Sequence, residues 1–274
     1  MTAAVTGKVW FITGTSRGFG RVWAEAALER GDRVAATARD LASLAPLVEA
    51  YGDAVLPLQL DIRDRDAAFA AVGAAHARFG RIDVVVNNAG YGLFGAVEDV
   101  TEEQARAQLD TNLFGTLWVT QAVLPVLRAQ GSGHILQMSS IAGLASWPML
   151  GLYHASKWAI EGLTDSLAQE VGRFGIHVTL VEPGPYTTDW RGSSAVWADP
   201  SEAYADVAKA PSAGSAPGDP AATAGPVLEL VDHPDPPLRV LLGATVLDTI
   251  TTAYEERLAG WKQWDTLARA AQGN

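Results

Sequence analysis

The chain has 274 residues, 48% of them hydrophobic and 19% charged. That balance excludes a peptide hormone, a disulfide scaffold and wholesale disorder, and it is ample for a continuous apolar core. Lys and Arg total 20 against 31 Asp and Glu, a net charge of −11, so nucleic acid and anionic membrane surfaces are poor electrostatic partners. There is no cysteine, which removes disulfides, thiolate ligands and thiol nucleophiles and suits a reducing compartment. Residues 1–8 lack the basic flank and apolar run of a signal peptide, and nowhere do about 18 apolar residues follow one another. A soluble, cytoplasmic protein acting on a small molecule is expected.

Short apolar runs at 9–12, 33–37, 55–60, 82–86, 134–138 and 177–181 read as strands, and residues 238–242 as a seventh. Between them, 21–30, 65–79, 102–130 and 152–174 have helical length, the spacing of right-handed βαβ crossovers. The fold class predicted is α/β: a three-layer, doubly wound, mostly parallel seven-stranded sheet with helices on both faces. Residues 209–220 (KAPSAGSAPGDP) read as a mobile surface loop. Residues 245–270 read as a terminal helix, with Trp261 and Trp264 as packing residues. No repeat beyond the βα alternation and no second-domain boundary is visible, so 1–274 reads as one domain.

The first strand runs into Thr13-Gly14-Thr15-Ser16-Arg17-Gly18-Phe19-Gly20 and then into a helical pattern. Glycines at such a junction let backbone approach a pyrophosphate, while the helix N-terminus offers free N–H groups and a positive dipole end. The spacing is TGxxxGxG rather than GxGxxG. In this it resembles the short-chain dehydrogenase/reductase family, whose members have a single-domain Rossmann fold. The resemblance implies that Gly14, Ser16, Arg17, Gly18, Phe19 and Gly20 bind a dinucleotide. It also places Asp61 and Ile62 near the adenine, although Asp61, like Asp64, could instead cap the next helix. Asn87-Asn88-Ala89-Gly90 resembles the family's NNAG segment, in which Asn88, Ala89 and Gly90 would shape the cofactor crevice.

Cofactor choice should fall at the end of the second strand, Thr37-Ala38-Arg39-Asp40. An acid there would bond a ribose 2′-hydroxyl, whereas an Arg suits a 2′-phosphate. The family's discriminating position falls at Ala38, and Arg39 and Arg17 offer two guanidiniums, so NADP(H) is preferred. Asp40 reads as a cap for the next helix, but a one- or two-residue shift would turn it into an NAD-type acid, which keeps NAD(H) possible.

Tyr153 and Lys157 are four apart in a helical stretch, hence one turn apart on one face. A phenol has a pKa near 10, and an ammonium within ~4–6 Å favours the phenolate, which would make Tyr153 a workable general acid or base. YxxxK alone is a common helical accident, but the chain has only four lysines. Ser140 precedes Tyr153 by thirteen residues, matching the family pattern S-x12-Y-x3-K; a hydroxyl there can orient a reacting carbonyl, with Ser139 the competing candidate. Asn112 lies with Asp110, Thr111 and Gly115, poor helix formers whose clustering predicts a kink. The resemblance gives Asn112 the task of holding a water that links the lysine to solvent. Pro183, Gly184 and Thr188 resemble the family's PGxxxT and would border the nicotinamide; Pro185 is a local departure.

The reaction implied is NADP(H)-dependent carbonyl reduction with Tyr153 as proton donor. The alternatives are an NAD-dependent secondary-alcohol dehydrogenase or a nucleotide-binding redox sensor without turnover. Loops beyond the strand ends should wall the substrate site. They carry Tyr91, Phe94, Trp147, Met149, Tyr186 and Trp190, which with Ser140 and Tyr153 suggest a bulky hydrophobic or aromatic ketone under a lid at about 185–225. The long connection and the extra helix at 245–270 resemble the 17β-hydroxysteroid dehydrogenase-like branch. Five histidines show no ligand spacing, so no metal is expected, and His154, ~100° around the helix from Tyr153, reads as a packing residue. Family members dimerise through the helices that here start near Glu102 and Leu152, which carry Trp118 and Trp158; a homodimer is expected and a tetramer is possible.

Overall fold

Val9–Ile12 is buried at all four positions, which explains why the run shows no alternation: helices cover both faces of the strand. The computed structural model describes residues 7–209 and 216–273. The expectations for the start of the chain and for the middle of the 209–220 loop lie largely outside the described residues. In order, the elements are β1 (Val9–Ile12), α1 (Gly18–Glu29), β2 (Arg33–Ala38), α2 (Ala45–Tyr51), β3 (Val55–Gln59), α3 (Arg65–Phe79), β4 (Val84–Asn87), β5 (Leu93–Phe94), α4 (Glu102–Leu109) and α5 (Thr116–Gln130). There follow β6 (Gly133–Met138), α6 (Gly151–Val171), β7 (Ile176–Pro183), β8 (Val196–Trp197), α7 (Ala205–Lys209), α8 (Ala224–Asp232), β9 (Arg239–Leu242), α9 (Val246–Gln263) and α10 (Asp265–Ala270).

Seven strands pair in the order β3-β2-β1-β4-β6-β7-β9, and every pairing in this sheet is parallel. It is the doubly wound sheet of a Rossmann fold. One face is covered by α3, α5 and α6 through residues such as Val72, Val123 and Leu167. The other is covered by α1, α2 and α8 through Trp23, Leu47 and Val227. Winding runs outward from β1 to β3 and restarts at β4 on the other side, so a crevice opens between the carboxyl ends of β1 and β4. Pro57 is accommodated in β3 because that strand lies at the sheet edge and has only one neighbour.

The seven strands of this sheet fall where the apolar runs place them, while the short β5–β8 pair was not expected and several helices differ. The α1 helix begins at Gly18, three residues before its apolar pattern, so two glycines of the loop belong to its first turn. The kink expected in 102–130 is a π turn over Asp110–Gly115, which inserts one residue between α4 and α5. Three short helices are missing from the sequence reading, α2, α7 and α8, and the first and last of these contain proline. In α8, Pro226 stands in the first turn, where a missing N–H is harmless. The terminal helix breaks at Trp264, and Trp261 and Trp264 are 65% and 63% exposed, which corrects their reading as packing residues. Only the start of α9 is buried, through Val246 and Ile250, so the helix runs on beyond any surface its distal aromatics could pack against. No helix among the described residues is long and apolar enough to cross a membrane.

Trp23 joins α1 to the turn that leads into α8: its indole N–H donates to Thr223 Oγ1 at 2.8 Å in a buried setting. Trp23→Phe keeps most of the ring burial but loses this bond. Urea unfolding should show a loss of about 1–2 kcal/mol with an unchanged slope.

Candidate active site

The crevice is built around Thr13, the last residue before the glycine turn. Its Oγ1 accepts the backbone N–H groups of Asn88 and Ala89 at 2.9 and 3.0 Å and donates to the Val86 carbonyl. Asn88 returns the tie, its Nδ2 donating to the carbonyls of Thr13 and Gly14. The NNAG segment thus buttresses the glycine turn from below. Gly14 has φ +69°, and a Cβ on Gly20 would stand 2.4 Å from the Gly14 oxygen and 2.5 Å from Asn88 Nδ2, so neither position tolerates a side chain. Arg17 is the extended N-cap of α1. No side chain caps the helix and no acid lies in its first turn, which leaves the leading N–H groups for an anion. Uncapped donors above a cradle that a Cβ would fill suit a dinucleotide pyrophosphate.

At the rim, Ala38 is the last residue of β2. Asp40 caps the following turn, accepting from the Ala42 N–H at 3.0 Å. Arg39 is exposed and has no ion-pair partner among the described residues. Asp64, not Asp61, caps α3. Asp61 is held by Arg63 through its backbone N–H and guanidinium, and that contact keeps its carboxyl below the usual range. Ile62 is buried against Gly115, at the π turn.

Ser140, Tyr153 and Lys157 come together at the carboxyl ends of β6 and β7. Ser140 caps the turn Ile141–Gly143, accepting from the Ala142 N–H at 3.1 Å, and it stands beside the Tyr153 phenol, whose pKa it pulls down. Ser139 points the other way and donates to Glu161. Lys157 Nζ lies 5.8 Å from the Tyr153 ring centroid and donates to the Met138 carbonyl at 2.6 Å. The ionisation differs from the sequence expectation. Burial pushes Tyr153 up to about 12, with Ser140 pulling against it, and burial pushes Lys157 down to about 8 against the pull of Glu161. Removal from water dominates the ionisation of both groups. Asn112, in the π turn, clamps the Tyr91 peptide from both sides: Oδ1 accepts its N–H at 3.1 Å and Nδ2 donates to its carbonyl at 3.0 Å. Nδ2 also donates to Ser156 Oγ, so the side chain ties the loop after β4 to α6.

Beyond β7, Gly184 N–H donates to the Leu242 carbonyl, Pro183 offers its carbonyl to Ser140, and Thr188 caps the turn Asp189–Arg191. Trp190 on that turn lies 5.1 Å from the Tyr153 ring and 4.9 Å from Phe94, which stacks on Trp197 at 4.4 Å. Trp147 and Met149 belong to the loop before α6. Met149 holds the left-handed conformation (φ 69°) and accepts the Gly95 N–H. The ring of Tyr186 turns away to Phe19 of α1, at 5.1 Å, so of the expected wall residues this one is placed beside the glycine turn.

Three sets of contacts were not read from the sequence. His154, expected as a packing residue, is buried and also bonds the loop that carries Ser140, its Nδ1 to the Ala142 carbonyl at 2.8 Å and its Nε2 accepting the Trp147 N–H at 3.0 Å. Glu161 and Glu182 are packed together beneath Ser139 with Arg239 against both; two acids on neighbouring elements give no local signal. Arg17 is bound by Asp189 and Ser193, more than 170 residues away.

The sequence profile described as short chain dehydrogenase matches residues 8–199. Oxidoreductase BOA17 of Botryotinia fuckeliana is 44% identical over 271 residues, covering 96% of this chain and 99% of its own length. A short-chain dehydrogenase from Streptomyces avermitilis is similar with a TM-score of 0.90 at 37% identity, over 98% of this chain and 99% of that one. A short chain dehydrogenase/reductase from Burkholderia phymatum, solved in complex with NAD, has a TM-score of 0.80 at 25% identity, over 93% and 96%.

Gly20→Ala should weaken binding of a nicotinamide dinucleotide by at least about tenfold in fluorescence titration, because the turn must shift to admit the methyl. Burial raises the Glu182 carboxyl well above its ordinary range. Between the two values the folded state holds a proton that the unfolded chain has released, so this group's contribution to stability falls as pH rises toward neutral. Glu182→Gln removes that dependence, and in urea melts it should gain on the wild type between pH 5 and pH 8.

Proposed function

The chain belongs to the short-chain dehydrogenase/reductase family of NAD(P)-dependent oxidoreductases, and we propose that within it the protein reduces a bulky hydrophobic or aromatic ketone with NADPH. The observation that carries this reading is the placing of Lys157 Nζ 5.8 Å from the Tyr153 ring, with Ser140 beside the phenol and aromatic side chains at the mouth of the crevice. Gly14, Ser16, Gly18, Phe19 and Gly20 with the α1 N-terminus would hold the pyrophosphate, and Asp61 and Ile62 the adenine. Asn88, Ala89, Gly90, Pro183, Gly184 and Thr188 would border the nicotinamide. When bound, the nicotinamide supplies the hydride.

Ser140 orients the ketone oxygen, and the Tyr153 phenol gives it a proton. A phenol pushed up to about 12 by burial stays protonated through neutral pH, which suits a donor in the reductive direction. Lys157 lies within reach of the phenol face and would stabilise the phenolate left after transfer. Asn112, buried in the π turn, keeps the loop after β4 against α6 and would sustain the proton path by which Tyr153 is reprotonated. Phe94, Tyr91, Trp147, Met149 and Trp190 give the substrate pocket its apolar wall.

The preference for NADP(H) is supported by the end of β2. Ala38 stands where an acid would bond a 2′-hydroxyl, Asp40 is engaged as a cap, and Arg39 and Arg17 are exposed at the crevice rim. The second reading, an NAD-dependent secondary-alcohol dehydrogenase, is favoured by the Burkholderia phymatum relative with its bound NAD. The same proposal includes a cytoplasmic homodimer. Its contact would be formed by the faces of α5 and α6, near which Phe114 and Trp158 are 39% and 36% exposed.

Fluorescence titration with NADPH and NADH tests the cofactor. Arg39→Ala should weaken NADPH by about tenfold and leave NADH unchanged, whereas tighter NADH binding by the wild type would favour the dehydrogenase. Across a panel of aromatic ketones, Tyr153→Phe should lower turnover by about 10²–10⁴-fold with NADPH affinity retained. Equal turnover by the variant would remove Tyr153 from the chemistry.

A further inference from the structure

Arg17 serves two neighbours at once. It stands at the N-cap of α1, at the crevice rim, yet its guanidinium meets Asp189 Oδ2 and lies 2.7 Å from Ser193 Oγ on the segment that follows β7. Asp189 is the hub of that segment. Its Oδ2 also accepts the hydroxyls of Ser193 and Ser194 at 2.7 and 2.8 Å, and its Oδ1 accepts the Ser193 N–H at 3.1 Å. The next residue is Trp190, whose ring covers Tyr153 at 5.1 Å. Tyr153 is only 6% exposed beneath it. The indole N–H of Trp190 is buried and has no partner, and Gly92 makes room for the ring, since a Cβ there would stand 2.8 Å from it. Trp190 therefore occupies the approach to the phenol in an arrangement that leaves one of its own polar groups unsatisfied.

We propose that Asp189 is a specificity-determining residue of the cofactor site: it competes with the cofactor's 2′-phosphate for Arg17, and capture of Arg17 by the phosphate releases Trp190 from Tyr153. The proposal rests on the reading that Arg17 binds that phosphate. The Arg17 and Asp189 side chains are 53% and 33% exposed, and an ion pair in such a setting is weak enough to exchange for a better anion. A phosphate dianion, which accepts a guanidinium in bidentate fashion, is one. The segment is anchored on both sides of the turn. Thr187 N–H donates to the Gly218 carbonyl, and Val196 and Ala198 donate to Gly92 and Phe94, so the stretch free to move is 188–195. NAD(H) has no group with which to displace Asp189, so it leaves Trp190 over the phenol. Discrimination then appears in substrate access as well as in cofactor affinity, and cofactor binds before ketone.

Hydrogen–deuterium exchange of the full chain reads the backbone amides of residues 189–195 directly, including the Ser193 N–H that Asp189 holds. Adenosine 2′,5′-bisphosphate should raise their exchange by about tenfold at saturation, and adenosine 5′-monophosphate should not. Asp189→Asn should show faster exchange without ligand and bind the bisphosphate about tenfold more tightly by calorimetry. Ser193→Ala should move both readouts the same way by a smaller factor. If the bisphosphate binds better than the monophosphate while exchange at 189–195 is unchanged and Asp189→Asn binds like the wild type, the competition is overturned and the cofactor reading stands. If the two nucleotides bind equally, the reading of Arg17 fails and carries the proposal with it. The two failures are distinct, one seen in exchange rates and the other in affinities.

Discussion

A single threonine hydroxyl organises the crevice on which everything else depends. Thr13 Oγ1 takes two backbone N–H groups from the strand-end segment across the switch point and gives its own proton to Val86. Parallel strands diverge where their connections leave in opposite directions, and the opening so created would expose unpaired backbone. Here the hydroxyl and the Asn88 amide close that gap below the glycine turn. The turn can then spend its own N–H groups outward, on a ligand, because its carbonyls are already satisfied from beneath.

The chemical end is governed by a different balance, between removal from water and charge proximity. Tyr153, Lys157, Glu161 and Glu182 all lie in low-dielectric surroundings, and burial dominates the ionisation of each. The arrangement is kept in place by hydrogen bonds: Ser140 to the Ala142 N–H, Lys157 to a strand carbonyl, Asn112 to both sides of one peptide. His154 contributes from the far side of the same helix. It fastens the loop carrying Ser140 through two bonds that need one ring nitrogen as donor and the other as acceptor, a demand that a singly protonated imidazole meets.

Much of the fold is legible in the sequence because the sheet is parallel and covered on both faces. Its strands appear as unbroken apolar runs, as at Val9–Ile12, and the helices between them have no alternative place to go. The pairing of Tyr153 with Lys157 could be anticipated from their helical spacing, whereas the choice of Ser140 over Ser139 rests on the family resemblance. What could not be read depends on long-range geometry. Tyr186 faces Phe19 because Gly218 closes against its ring, and no pattern near residue 186 encodes that. Asp189 and Arg17 meet from distant parts of the chain. Burial raises the Tyr153 phenol, and Trp190, which packs on its ring, lies far from it in sequence. Trp261 and Trp264 have the spacing of packing residues, but nothing in a helical period says whether a surface awaits them.

The two edges of the sheet are chemically unequal. On one side β3 ends the array with Pro57 at its centre, a residue with no N–H to offer an incoming strand. On the other, β9 is four residues long and begins with Arg239, whose guanidinium is drawn inward to Glu161, Glu182 and Asp165. An incoming strand would find no N–H donor at Pro57 on the one edge and a short strand beside a paired guanidinium on the other.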